Sequence, residues 1–301
     1  MNTILSVENT LNWSWSFTLK SIMKQMYNYK FIRVMRIPGC HIADDLVKFF
    51  DITLLQNLDT IHLVRDKKKV ISRIGGLFVN RENPEERYDK ELKQVAGIIA
   101  TNCQLYNIGK RVNENTFLIS NGVDLGKFKP AENKEDRPFT IGFAGNIWGR
   151  GLEYKGWTFY TQVTARLFGE IEEIHCLFNH NQIAHSKMPK EFYHKIDCLI
   201  LPSKGEGCSN VTVEALACGV PVLLTKVGYH GEMLTDRKNC LFIKRDSKDI
   251  EDKIRQLMIN VSLRNKLANN GRVFAEKYHD IKKIAKQYDR VFKEILKQRR
   301  V

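Results

Sequence analysis

Two carboxylates eight positions apart, Glu206 and Glu214, flank the stretch Gly207-Cys208-Ser209-Asn210-Val211. The apolar run 198–201 ends at Pro202 and passes into Ser203-Lys204-Gly205, which reads as a buried strand emptying into a polar turn. Ser209 or Asn210 can cap a following helix, which Val211, Glu214, Ala215 and Ala217 continue and Gly219 and Pro221 stop. Val220 to Leu224 reads as a second buried strand. The segment is therefore a βαβ unit, with its turn at the carboxyl end of the first strand, where open α/β sheets take ligands. Backbone N–H groups of residues 208–211 would stand at the positive end of the helix and suit a phosphate. Carboxylates accept from hydroxyls, so the combination fits a ligand carrying both, such as a nucleoside diphosphate sugar. By themselves the same residues also suit an ordinary βαβ turn with a solvated Glu206.

The residues around the pair run Pro202-Ser203-x-x-Glu206-Gly207 and then Glu214-Ala215-x-Ala217-x-Gly219-x-Pro221-Val222. In this the chain resembles the family 4 retaining glycosyltransferases of GT-B fold, the glycosyl transferases group 1. The resemblance implies that Glu206 contacts the donor sugar and Glu214 the ribose, with Glu206 and Lys155 as the catalytic pair. Asn121-Gly122-Val123-Asp124 followed by Phe128-x-Pro130 is similar to the segment that ends the family's first domain. The strand from Phe139 into Gly145 and Asn146 and the later Lys155-Gly156 are similar to its diphosphate-binding region. Where members often carry an arginine, Asn146 stands here, and Arg150 sits further on in a longer loop as a substitute. Donor contacts are thus expected from Gly145, Asn146, Arg150, Lys155 and residues 207–211 with Glu214. The resemblance is strong from about Phe117 to Leu296 and general before it.

On the acceptor side the signals are weaker. Trp13 and Trp15 precede Leu19, Ile22 and Met26 at helical spacing and read either as core packing or as an acceptor-side pair. Arg73-Ile74-Gly75-Gly76 follows a strand pattern; some members have Arg-x-Asp-Gly there, and Gly75 replaces the aspartate. Arg73 suits a phosphate, an acceptor or a structural ion pair. His41 and His62 are candidates for the family's donor-contacting histidine without motif support, and His180 reads as a base contact or a surface histidine.

The elements that must position these groups alternate between short apolar runs and amphipathic stretches. The resemblance implies two Rossmann-like doubly wound α/β domains facing across a cleft. We place the first at residues 1–133, the nucleotide-sugar domain at 134–280, and a C-terminal helix, 281–301, crossing back to the first. At 301 residues two domains can each bury a core.

Composition narrows the partners. No apolar run reaches the roughly 18–20 residues that cross a bilayer, no basic leader opens the chain, and seven scattered cysteines read as reduced thiols. These point to a cytoplasmic protein, peripheral at most at the inner membrane face. The net charge of +14 suits anionic partners or a solvated basic surface. No metal site and no cofactor are expected beyond the substrate, a UDP- or GDP-linked sugar. The expected reaction is metal-independent transfer of a hexose or pentose to a hydroxyl with retention, on a glycan or glycolipid. DNA as the acceptor, or a non-catalytic nucleotide-sugar-binding scaffold, are the alternatives; the oligomeric state is open.

Overall fold

Short runs of Ile, Leu and Val, buried on both faces, form the strands of two parallel sheets, as the βαβ pattern requires. The structure, a computed structural model, describes residues 1–8, 14–35, 47, 49–55, 61, 64, 66–75, 89–132, 136–145, 147, 150–171, 174–179 and 182–298. The chain divides into two units, Met1–Gly122 with Ile281–Val301, and Val123–Asp280.

In the first unit, β1 (Asn2–Glu8), β2 (Tyr29–Met35), β3 (Ile52–Leu55), β4 (Val70–Ile74), β5 (Gly97–Ala100) and β6 (Thr116–Leu118) pair in parallel in the order β2-β1-β3-β4-β5-β6. The order reverses at β1, the topological switch of a doubly wound sheet. The Ser14–Met23 helix and the Ile281–Gln298 helix cover one face, with Ile4, Ile52, Leu54, Ile71 and Ile99 beneath them. The last helix buries Ile281, Ile284, Tyr288, Val291, Phe292 and Ile295, the three- and four-residue spacing of its apolar stripe. It is tied to β2 by Tyr29, whose hydroxyl donates to Asp289 Oδ1 at 3.0 Å and whose ring meets Phe292 edge-on. The Cys103–Val112 helix, capped by Asn102 accepting from the Leu105 N–H, was not anticipated by the sequence reading.

In the second unit, β7 (Phe139–Ala144), β8 (Ile174–Asn179), β9 (Cys198–Leu201), β10 (Val222–Thr225) and β11 (Leu241–Ile243) are parallel in the order β11-β10-β9-β7-β8. Here the switch lies between β7 and β9, so ligand chemistry is expected at the carboxyl ends of those two strands.

The division differs from the expected boundary at residue 133. Val123 donates its N–H to the His279 carbonyl at 2.8 Å and bridges Asp280, and Phe128 is buried in the second core. Backbone pairing and burial therefore assign the chain from Val123 onward to the second unit, and the crossing lies at Gly122–Val123, not at residue 133.

Candidate functional site

The apolar strand β9 ends at Leu201, and Pro202 turns the chain so that Ser203 and Glu206 are folded inward and buried. Across from them the short Arg150–Lys155 helix delivers Lys155. Its ammonium lies 2.6 Å from Glu206 Oε1, and the Ser203 hydroxyl donates to the same oxygen at 2.7 Å. Gly145, at the end of β7, lies against the Lys155 side chain. Three residues read from separate motifs, Gly145, Lys155 and Glu206, are thus brought to the carboxyl ends of β7 and β9.

Arg150 was expected in a longer loop. Arg150 instead opens a helix that Lys155 closes, and the next helix, Trp157–Glu170, begins after Gly156. The reason is a close approach. Gly156 has φ +77° and sits so near β9's end that a Cβ there would be 2.4 Å from the Pro202 carbonyl oxygen. Arg245 locks the junction by donating to the carbonyls of Glu153 and Pro202, and Lys204 pairs with Glu153. Residues on three separate segments therefore fix where Lys155 emerges.

Burial pushes the Glu206 carboxyl up, but the charge of Lys155 and the hydrogen bonds from Lys155 and Ser203 outweigh it and hold the group below the usual carboxylate range. A carboxyl whose folded value is depressed stabilises the protein above the ordinary glutamate range, and that contribution is lost as pH falls through the lowered value. Urea midpoints measured from neutral to acid pH are therefore expected to fall less steeply in Glu206→Gln than in the wild type; parallel acid limbs would contradict the assignment.

The Asn210–Ala217 helix begins beside this pair. Ser209 is its N-cap, accepting from the Thr212 N–H at 3.3 Å. Asn210 at the first helical position is buried, and its Oδ1 has no hydrogen-bond partner. Gly207 and Cys208 are buried on the approach to the helix, and Val211 is half-buried. His230, on the Gly228–Met233 helix, has Nε2 3.0 Å from Thr212 Oγ1. Burial pushes its imidazole down to about 4, with Lys155 adding and Glu206 opposing, so the ring is neutral at physiological pH.

Glu214, in the middle of the Asn210–Ala217 helix, is held at both oxygens. His185 Nε2 lies 2.8 Å from Oε1, and the Tyr193 hydroxyl donates to Oε2 at 2.7 Å. Tyr193 is on a 3-10 turn, Tyr193–Lys195, that follows the Met188–Glu191 helix.

In the first unit Arg73 is buried at the end of β4 and donates to Asn121 Oδ1 at 2.5 Å. A Cβ at Gly75 would lie 3.2 Å from its guanidinium. Tyr288 packs against the same group, its hydroxyl pushed up to about 12 by burial with Arg73 opposing. Trp13, His41, His62, Gly76, Asn146 and His180 lie outside the described residues, and of Trp15 and Arg150 only the helical backbone is described.

Sequence reasoning missed three groups that touch the expected site residues, Ser203, His185 and Tyr193, and a fourth, Arg245, that clamps the backbone beside Lys155. Ser203 was legible, since it stands in the Pro-Ser of the quoted motif. The others carry no local pattern. Among the described residues no group of three or more His, Cys, Asp or Glu is placed to hold a metal ion, and no helix is long and apolar enough to cross a membrane.

Comparison with known proteins converges on one family. Residues 166–274 match the family model described as glycosyl transferases group 1. The capsular polysaccharide biosynthesis glycosyltransferase CapM of Staphylococcus aureus is 29% identical over 206 residues, covering 60% of this chain and 54% of that protein. The N,N'-diacetylbacillosaminyl-diphospho-undecaprenol alpha-1,3-N-acetylgalactosaminyltransferase of Campylobacter jejuni is 26% identical over 221 residues, covering 63% and 58%. The chain thus spans little more than half the length of these curated relatives. Among solved structures, HepE of Anabaena in complex with UDP-glucose shares the fold with a TM-score of 0.74 at 14% identity, over 98% of this chain and 100% of that one.

Proposed function

We propose that the chain, whose residues 166–274 match the glycosyl transferases group 1 and whose fold is that of the GT-B enzymes, moves a sugar from a nucleoside diphosphate donor to a hydroxyl of a glycan or glycolipid. The observation that carries this is the meeting of Lys155 and Glu206 beside the start of the Asn210–Ala217 helix. A cation paired with a buried carboxylate, four residues before a helix N-terminus, supplies what a charged leaving group and a sugar hydroxyl need.

In this reading Lys155 and the amides of residues 208–211 take the diphosphate, with Gly145, Asn146 and Arg150 as further donor contacts. Glu214 takes the ribose and Glu206 the sugar. The bond from the anomeric carbon to the phosphate oxygen breaks with its electron pair going to the diphosphate. The acceptor oxygen bonds to the same face of the sugar and loses its proton to the departing phosphate oxygen, so configuration is retained. Lys155 and the helix amides neutralise the charge that develops, in the place a metal ion takes in other designs. The names of the Staphylococcus and Campylobacter relatives, a capsule enzyme and a transferase acting on a diphospho-undecaprenol glycan, support an acceptor of that kind. A non-catalytic scaffold is disfavoured because it has no use for a lysine folded onto a buried glutamate.

Thermal unfolding with UDP, GDP, ADP, CDP and dTDP in the presence of EDTA tests the reading. One of them, at 100 times its dissociation constant, is expected to add about 2.7 kcal/mol to the stability of the wild type and to add less to Glu214→Ala. Stabilisation by none, or only with added metal, would overturn the donor assignment or its metal independence respectively.

A further inference from the structure

We propose that His185 is a latch over Glu214, closing the ribose-binding carboxylate while the site is empty and swinging aside when a nucleotide enters. The proposal rests on the reading of Glu214 as the ribose ligand and adds the residue that controls access to it. With His185 Nε2 at 2.8 Å from Oε1 and Tyr193 on Oε2, the Glu214 side chain keeps only 7% of its surface exposed. A vicinal diol engages a carboxylate through both oxygens. The Tyr193 hydroxyl comes from a fully buried ring and has no room to leave. His185 keeps 15% of its side chain exposed and is the group that can yield.

The surroundings of the ring are built for that movement. Behind it, Lys127 Nζ stands 3.5 Å from Nδ1, and the Phe128 ring lies 5.2 Å away, centroid to centroid. An ammonium only donates, so Nδ1 accepts and the ring proton sits on Nε2, which donates to Glu214. The backbone beneath the ring is pinned. Asn179 Oδ1 accepts from the N–H groups of Gln182 and Ile183 at 3.1 Å each, and the Lys187 N–H reaches the Ala184 carbonyl at 2.8 Å. Opening is therefore a rotation of one side chain between staggered positions, with no rearrangement of the loop. Tyr193 has the complementary role of a positioning residue, holding Oε2 whether the ring is in or out.

A latch lowers the apparent affinity of the site by the fraction of time it is open. Removing it is expected to tighten nucleotide binding. The loss of one hydrogen bond to a carboxylate corresponds to about tenfold. Calorimetric titration with UDP, GDP, ADP, CDP and dTDP, on wild type, His185→Ala and Lys127→Ala, is the test. The expected result is that the diphosphate bound by the wild type binds His185→Ala about tenfold tighter and Lys127→Ala tighter by less. Binding by His185→Ala alone, with none by the wild type, supports the latch equally. Equal or weaker binding by a folded His185→Ala, beside a wild type that binds, overturns the latch and leaves the ribose site standing. If none of the three proteins binds any of the five, the nucleotide reading fails and the latch falls with it.

Discussion

Replacing Glu206 by glutamine is expected to lower kcat by about 10²–10³-fold without weakening the donor's binding. Glutamine keeps the shape of the side chain and can still accept from Ser203, so the turn after β9 has no reason to collapse. What is lost is the negative charge, and with it the partner that holds Lys155 at 2.6 Å. In the empty site the ammonium is held by that carboxylate, and an incoming diphosphate must share it. Without the carboxylate it belongs to the diphosphate alone, so affinity for the donor should hold or rise while turnover falls. Lys155→Ala is the counterpart: it removes a charge-assisted contact of about 1.5–3 kcal/mol, so donor affinity should drop by roughly 10- to 100-fold. Steady-state kinetics with direct nucleotide titration separate the two effects. A Glu206→Gln protein with nearly wild-type turnover would remove that residue from the chemistry.

Gly156→Ala is expected to destabilise the protein by about 3 kcal/mol or more. A non-glycine residue at a left-handed φ costs about 1–3 kcal/mol, and Gly156 sits at +77°. The added methyl would also lie 2.4 Å from the Pro202 oxygen and 2.6 Å from its ring, both parts of the rigid end of β9. Relief requires the Arg150–Lys155 helix to move away from β9, breaking the Arg245 clamp and carrying Lys155 from Glu206. Gly169 is the control. It lies inside the Trp157–Glu170 helix with nothing within 4 Å of a built Cβ, so alanine there should stabilise by about 0.5–1 kcal/mol. Urea midpoints for the two variants should shift in opposite directions. A Gly156→Ala protein as stable as the wild type would mean that the helix does not press on Pro202.

The local pieces of the site were legible because their causes are local. A cap depends on one side chain and the next few backbone groups, so Ser209 and the helix after it can be read from the residues in order. Burial on both faces makes a short apolar run a strand in a parallel sheet, and Cys198–Leu201 needs no partner to be recognised. The stripe of Ile284, Tyr288, Val291, Phe292 and Ile295 marks a one-sided helix by its spacing alone. The Lys-Gly pair was likewise visible, although the reason for its glycine was not: that reason is the oxygen of a proline 46 positions away.

The sequence by itself determined the alternation of strands and helices, the turn that carries the two glutamates and the residue types available for a phosphate, a ribose and a sugar. Only the tertiary structure decided which of those residues meet. Lys155 and Glu206 are 51 positions apart, and they touch because β7 and β9 are neighbours at the switch in strand order. His185 and Tyr193 reach Glu214 from 29 and 21 positions away, on segments whose own patterns say nothing of a carboxylate. The division of the chain at Val123 was decided in the same way, by a backbone bond to His279 that joins segments 156 positions apart. Hydrophobic periodicity depends on neighbours along the chain, whereas a polar contact needs two groups within about 3 Å, and the order of strands and the direction of side chains set that distance.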